Sequence, residues 1–419
     1  MSTIPKAFNT VLTSFNEFSR KKIRINTIGK DTASPGELTQ ILLPEGKLDM
    51  STFSLGGFGE VTVATDHFAQ LPPANLLIEQ LMVEVGSVQL HASFNWYNQV
   101  WEILSDFTGQ WTKSKINHIL NLLPADNAAP AAGNTVLKAD GVIPFQINKW
   151  LGFLGDVGVL LTDRLPPVRI SIRWAQNNVL ATDATAAAAS YKLLGLYSTV
   201  DVLKLSPAYD GLKDDALAAK IPIQIPYTNY QCIPGVTAGL TNVTRFSSTA
   251  DALERVYGTF LQPTYQDPNQ VKDTNTWVSP AFNRGTAQLA SGFAARFTIN
   301  GMSFGDTPSI FERGEILLQT LQTLNEDHDV TSAVHPGLTT LALFGSKFFV
   351  HGNNFSWNDS DSLTRKCGLS ALGQSLIGSW ETNATAGQAS SANQAIPLVI
   401  LQTKSVLEIG ADRTVRVIY

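Results

Sequence analysis

One pentapeptide carries a catalytic pattern. Gly301-Met-Ser303-Phe-Gly305 fits G-x-S-x-G, the nucleophile elbow. That elbow needs its serine on a tight strand-to-helix turn, with an acid and a histidine later in the chain. Asp327, Asp329, His328, His335 and His351 could supply them, but Gly305-Asp-Thr-Pro308 separates Ser303 from any helix. The spacing favours an ordinary strand after a glycine turn. Glu326-Asp-His-Asp329 has the residue types of a metal site. Adjacent residues rarely converge on one ion without loop geometry or helical spacing, so a solvated loop is the better reading. His67, His91 and His118 are scattered without ligand spacing, Gly345-Ser-Lys347 has the wrong order for a phosphate loop, and Gly57-Phe-Gly59 lacks the third glycine of a dinucleotide fold. The expectation is a chain with no catalytic residue, no metal and no cofactor.

Cysteine chemistry is equally sparse. Cys232 and Cys367 are the two thiols, neither in a Cys-x-x-Cys pair, so both read as small core residues of a chain made for a reducing compartment. A net charge of -5 does not suit a general nucleic-acid binder, which needs a broad basic surface. Met1 to Arg20 lacks the order of a secretory signal, and no apolar run reaches the roughly 18 residues of a spanning helix. The sequons at Asn242, Asn354, Asn358 and Asn383 are therefore expected to stay unmodified.

The elements that would position any site are mostly strands. Lys22-Ile-Arg-Ile-Asn and Glu60-Val-Thr-Val-Ala alternate. Val168 to Trp174 sends Val168, Ile170, Ile172 and Trp174 to one side and Arg169, Ser171 and Arg173 to the other. Ile221 to Tyr227 alternates too, but Pro222 and Pro226 restrict it to an edge or a strand end. Helices are expected over Phe94–Phe107, capped by Ser93, over Pro308–Asn325 and over Pro207–Lys220, with long loops over Ala125–Asn134 and Ala181–Ser190. Near the start, Ile4, Phe8, Val11, Phe15 and Phe18 fall on one helical face. The basic cluster Arg20, Lys21, Lys22 and Arg24 follows it. It reads either as a solvated strand start or as an arm facing DNA or lipid headgroups.

A long internal repeat organises these elements. Val83-Glu-Val-Gly86-Ser-Val and Phe297-Thr-Ile-Asn-Gly301-Met are both strand, glycine turn and strand, each followed by a helix. The glycines lie 301 − 86 = 215 positions apart. Ser198-Thr-Val-Asp-Val-Leu203 and Arg413-Thr-Val-Arg-Val-Ile418 share that offset, 413 − 198 = 215, and read as the strands that close each half. A period this long means tandem domains. The expected division is an amphipathic helix and basic arm over 1–24, a first domain over 25–206 and a second over 207–419.

Several stretches carry a family resemblance, in order along the chain: Leu42–Asp49, Leu77–Leu81 through Phe94–Gln99, Trp150-Leu-Gly-Phe-Leu-Gly155, Val168–Trp174, Tyr197–Val202, Ile225-Pro-Tyr-Thr-Asn-Tyr230 and Leu407–Tyr419. Together they resemble the double jelly-roll major capsid proteins of polinton-like viruses and virophages; Thr331–Ser346 lacks the pattern. The resemblance implies an all-β fold with short helices, made of two tandem eight-stranded jelly-roll β-sandwiches. It implies a homotrimer that tiles the icosahedral shell of a double-stranded DNA virus, found in the virion, made in the host cytoplasm or nucleus and not secreted. Neighbouring capsomers, penton proteins and minor or cement proteins would be its partners. Packaged DNA or an inner membrane would meet an interior-facing arm comprising Phe8, Val11, Phe15, Phe18, Arg20, Lys21, Lys22 and Arg24. The rival reading is a tandem β-sandwich lectin or receptor-binding spike, for which secretion, disulfides or a calcium site would be expected.

Overall fold

A computed structural model describes residues 19–63, 69–91, 94–107, 142–182, 189–204, 222–236, 242–250, 252–261, 282, 284, 294–304, 313–324, 344, 348–356, 368–370, 375–383, 396–410 and 413–418. The first half contains β1 (Ser19–Asn26), β2 (Leu38–Leu42), β3 (Lys47–Val63), β4 (Ala69–Gln70), β5 (Ile78–Val85), β6 (Val88–Gln89), helix α1 (Tyr97–Phe107), β7 (Val142–Ile147), β8 (Val159–Leu161), β9 (Val168–Trp174), β10 (Ala181–Thr182) and β11 (Ala189–Lys204). The second contains β12 (Ile223–Pro234), β13 (Asn242–Ser248), β14 (Leu253–Leu261), β15 (Ala294–Ile299), β16 (Met302–Phe304), helix α2 (Arg313–Leu324), β17 (His351–Asn354), β18 (Leu376–Asn383), β19 (Ile396–Ile409) and β20 (Val415–Ile418).

Two sheets form in each half, and their orders repeat. The first half has β1-β11-β3-β7 and β2-β9-β5-β6; the second has β12-β19-β14-β17 and β13-β18-β15-β16. In both, one sheet takes the first, eighth, third and sixth of eight strands, and the other takes the second, seventh, fourth and fifth. Successive strands thus cross between facing sheets, except the fourth and fifth, which pair as a hairpin, and this is the jelly roll. The chain is two tandem eight-stranded jelly rolls, with β4, β8, β10 and β20 as additions.

Aromatic side chains join the facing sheets. Phe145 of β7 meets Trp174 of β9 edge-on at 6.5 Å, and Phe260 of β14 lies 5.1 Å from Trp380 of β18. Val168, Ile170, Ile172 and Trp174 are buried as their alternation requires. Ser171, expected on the outer face, is buried too, with Gln40 Nε2 donating to its hydroxyl at 3.5 Å.

The repeat is real in topology, but one of its two sequence matches joins strands that are not equivalent. Ser198–Leu203 lies in β11, whose counterpart by sheet order is β19; of Arg413–Ile418, Val415–Ile418 forms β20, which extends the sheet beside the end of β19. Short alternating runs carry the strand period but not the address of the partner strand. The glycine match holds more closely. Gly86 and Gly301 both sit at positive φ (63° and 78°) in two-residue turns. Gly86 takes the first turn position, before Ser87, and Gly301 the second, after Asn300, which is itself left-handed at φ 49°.

Other boundaries moved as well. Trp96 is left-handed (φ 53°) and its carbonyl accepts the Val100 N–H at 3.2 Å, so α1 begins three residues after the expected Phe94. The described part of α2 is Arg313–Leu324, and the expected start at Pro308 lies outside the described residues. The apolar run Trp150–Leu161 holds the helical turn Phe153–Asp156 and β8, and no described helix is long and apolar enough to cross a membrane. The expected loop Ala181–Ser190 carries strand residues at both ends, in β10 and β11. Ser93, the 125–134 loop, the 207–220 helix and the expected division at 206/207 lie outside the described residues.

Candidate functional site

Ser303 is exposed in the middle of β16, paired with Thr298 in a hairpin, and so sits on a strand rather than a strand-to-helix elbow. His351, the candidate base that lies among the described residues, is on the other sheet of the sandwich and buried. Its ring is already engaged: Trp380 Nε1–H donates to Nδ1 at 3.2 Å, and Nε2–H donates to Gln319 Oε1 at 3.3 Å. Burial holds its pKa at about 3, well below the usual 6.5, so it is a neutral structural ring. Cys232 is likewise buried, and desolvation pushes its thiol pKa far up, away from nucleophilic character. No three metal-ligating side chains cluster among the described residues. Asp327, His328, Asp329, His335, His67, His118 and Cys367 lie outside them.

The basic cluster divides. Arg20, Lys21, Lys22 and Arg24 all lie in β1, paired with β11 from Ser19↔Lys204 to Asn26↔Tyr197. The expected limit of an arm at residue 24 therefore falls inside a strand of the first sandwich. Arg20 is clamped by Asp49 (2.8 Å) and Asp201, and Arg24 stacks 4.2 Å over the Tyr197 ring. Lys21 and Lys22 are exposed. Phe8, Val11, Phe15 and Phe18 lie outside the described residues.

A further polar arrangement, which sequence reasoning passed over, is the seam between the sandwiches. Its first-half wall is Leu90-His91, Phe94 and Tyr97, with the turn Gly152–Asp156; its second-half wall is Tyr227-Thr228-Asn229-Tyr230 of β12. His91 is fully buried, and its pKa is lowered to about 4 chiefly by desolvation. Phe153 N–H donates to Nε2 at 3.2 Å, so the neutral ring carries its proton on Nδ1 and donates it to Asn229 Oδ1 at 3.0 Å. Tyr227 O–H donates to the Leu90 carbonyl at 2.8 Å, and Thr228 N–H donates to the Asp156 carboxylate at 2.6 Å. Lys404 Nζ reaches Thr228 Oγ1 at 3.2 Å behind them.

Aromatic rings fill the space between these bonds. Phe94 stacks on Tyr230 at 5.3 Å, and Phe153 meets Tyr227 edge-on at 5.4 Å. Gly152 is required twice over. Its φ is +68°, and a Cβ there would stand 2.6 Å from His91 Cε1 and 3.2 Å from the Thr228 carbonyl oxygen. Leu151 N–H donates to the Tyr97 hydroxyl at 3.2 Å and fixes the same turn from the other side. A cleft for a small molecule would leave such donors open; here they are spent on holding two sandwiches at a set angle.

No family model matches this sequence, and no curated protein matches it. Solved structures do. A PBCV-1 virus capsid model aligns over 96% of this chain and 97% of its own, at 13% identity and TM-score 0.59. The Faustovirus major capsid protein aligns over 94% and 90%, at 8% identity and TM-score 0.55. The mavirus major capsid protein aligns over 100% and 95%, at 11% identity and TM-score 0.51. Identities this low speak to the fold: the chain is a double jelly roll built on the same whole-chain plan as these capsid proteins.

Proposed function

We propose that this chain is the major capsid protein of a double-stranded DNA virus and assembles as a homotrimer. The observation that carries the reading is the repetition of one eight-strand order within one chain. Three chains then supply six similar sandwiches, so a three-fold object fills a six-neighbour position in an icosahedral shell. The seam supports it, because a shell element must keep its two sandwiches at one angle, and buried, mutually satisfied polar groups do that. The whole-chain likeness to capsid proteins points the same way. Function is then shape and contact, with no turnover at Ser303.

In this reading the protein resides in the virion after synthesis in the host cytoplasm or nucleus. It meets neighbouring capsomers, penton proteins and minor or cement proteins. The residues ahead of β1 face the particle interior, towards packaged DNA or an inner membrane; rapid protease cleavage there in intact virions would contradict that placement. The test of the whole reading is native mass spectrometry with electron microscopy. The expected species has three times the 45.4 kDa chain mass and a hexagonal outline. A persistent monomer that binds glycans would favour the lectin or spike reading instead.

A further inference from the structure

One imidazole serves both sides of the seam inside the chain. His91 Nδ1–H donates to Asn229 Oδ1 of β12 at 3.0 Å, across the boundary between the sandwiches. Its other nitrogen, Nε2, accepts the Phe153 N–H at 3.2 Å, at the start of the Gly152–Asp156 turn. The far end of that turn crosses the boundary again, where the Asp156 carboxylate accepts the Thr228 N–H at 2.6 Å. Gly152 packs so closely on the ring that a Cβ would stand 3.0 Å from Nε2. The turn keeps this place, and its bond to Thr228, while Nε2 presents a lone pair.

We propose that His91 is a proton-operated latch: protonation of Nε2 releases the Gly152–Asp156 turn and with it the bond to β12, so that acid frees the two sandwiches from each other before it unfolds either. The proton comes from solvent and turns Nε2 from an acceptor into a donor. Two N–H groups then face each other across 3.2 Å. The Nδ1–H bond to Asn229 survives protonation, which puts the break on the first-sandwich side, at the turn. The latch is a property of the single chain and stands apart from the trimer reading.

The groups around the ring set the conditions. Asp156 on the turn is a second group that acid can neutralise, and losing its charge would weaken the same bond to Thr228. Tyr97 on α1 and Tyr230 on β12 have pKa values raised by burial and stay neutral in acid. Tyr227 on β12, edge-on to the ring at 5.6 Å, spends its hydroxyl proton on the Leu90 carbonyl. Lys404 on β19 stands behind Thr228 and opposes a second cation in the seam, while Glu254 and Arg255 of β14 act on Tyr230 with opposite signs. Burial lowers the folded pKa of His91 to about 4, below the 6.5 of an exposed imidazole. The opened seam therefore binds more protons than the closed one. The closed state is fully favoured above pH 6.5 and loses ground as pH falls towards 4.

The test is hydrogen exchange of the full chain between pH 7 and pH 5, corrected for the intrinsic exchange rate at each pH. The amides of Phe153 and Thr228 are expected to lose protection by about twentyfold over that interval, with the circular dichroism unaltered. His91→Gln, which keeps a donor and an acceptor but takes up no proton, should abolish the dependence. Asp156→Asn should retain it, and His351→Gln, in the second core, should leave it untouched. Protection at these two amides that stays level from pH 7 to pH 5 in the wild-type chain overturns the proposal. So does a dependence that survives His91→Gln. A dependence lost in Asp156→Asn makes the carboxylate the switch, and one weakened by His351→Gln means that the whole chain unfolds together; either result sinks the latch. If His91→Gln does not fold, the wild-type chain and the other two variants decide.

Discussion

The two sandwiches share a strand order and differ in how each satisfies its central tryptophan. Trp174 on β9 donates its indole N–H to Thr39 Oγ1 at 2.7 Å, on the neighbouring strand β2 of the same sheet. Trp380 on β18 donates to His351 Nδ1 at 3.2 Å, on β17 of the facing sheet. The first sandwich closes its buried donor with a hydroxyl that cannot titrate near neutrality. The second uses an imidazole, which Phe297 also stacks against at 4.7 Å, to tie sheet to sheet. One topology thus tolerates two polar solutions, provided that every buried donor finds an acceptor. It also follows that the second core is the acid-sensitive one, while the first half holds its buried histidine at the seam.

The largest effect should come from removing the cross-sheet tie. Trp380 is fully buried, packed on Phe260 and against Gly258, whose Cβ would stand 2.3 Å from the indole. Trp380→Ala is expected to cost about 3–5 kcal/mol, as large-to-small aromatic changes do. Urea unfolding should show it. A loss below 1 kcal/mol would mean that the second core does not depend on this ring.

Acid should separate the two histidines next. Both have folded pKa values below the ordinary 6.5, about 4 for His91 and about 3 for His351, because burial disfavours imidazolium. The unfolded chain therefore binds more protons than the folded one between those values and 6.5. Stability is fully present above pH 6.5 and falls as pH drops towards 4 and 3, by at most about 1.4 kcal/mol per pH unit per histidine. Carboxylates add their own acid response, so pH 6.5 to 5 is the informative window. His91→Gln and His351→Gln should each flatten the slope of the urea midpoint there. A wild-type midpoint that is level across that window contradicts the assignment of both rings as neutral.

How much of this was legible beforehand depends on the distance between partners in the chain. Val168–Trp174 was legible because alternation is local, and so were the turns at Gly86 and Gly301, because positive φ selects glycine. The pairing of β11 with its true counterpart was not, since Ser198–Leu203 resembles β20 in sequence while β19 holds its place in the sheet. The seam was hidden for the same reason. His91 meets Asn229 across 138 residues, and nothing near His91 marks it. A signal did exist: Trp150–Gly155 and Ile225–Tyr230 were both singled out by resemblance, and they turn out to form much of the two walls. The basic cluster read two ways because a strand start and an arm have the same composition; its residues lie in β1, paired with β11.

The seam itself gives a smaller, sharper test. Gly152→Ala places a methyl against His91 and the Thr228 carbonyl oxygen at a backbone angle that favours glycine. Overpacking with strain of this kind costs about 1–3 kcal/mol. The change should loosen the two sandwiches before it unfolds either one. Hydrogen exchange is the measurement: the amides of Phe153 and Thr228 should lose protection while those of β9 and β18 keep theirs. Equal loss everywhere would mean that the seam and the cores unfold as one unit.

The smallest effect concerns β1 of the first sandwich. Arg20 is clamped between Asp49 and Asp201, but its side chain is 44% exposed, so water screens much of the attraction. Exposed ion pairs contribute about 0–1 kcal/mol, and Arg20→Ala should cost no more than that in the isolated chain. Removing the arginine also leaves two carboxylates facing each other across β3 and β11, since Asp49 pairs directly with Asp201 in the sheet. The cost should therefore shrink when Asp49→Asn is added, a non-additivity that a double-mutant cycle reads directly. Equal costs with and without Asp49 would mean that the Arg20 clamp does not help to hold β1, leaving its backbone ladder, the Arg24–Tyr197 contact and the packing of Ile23 and Ile25.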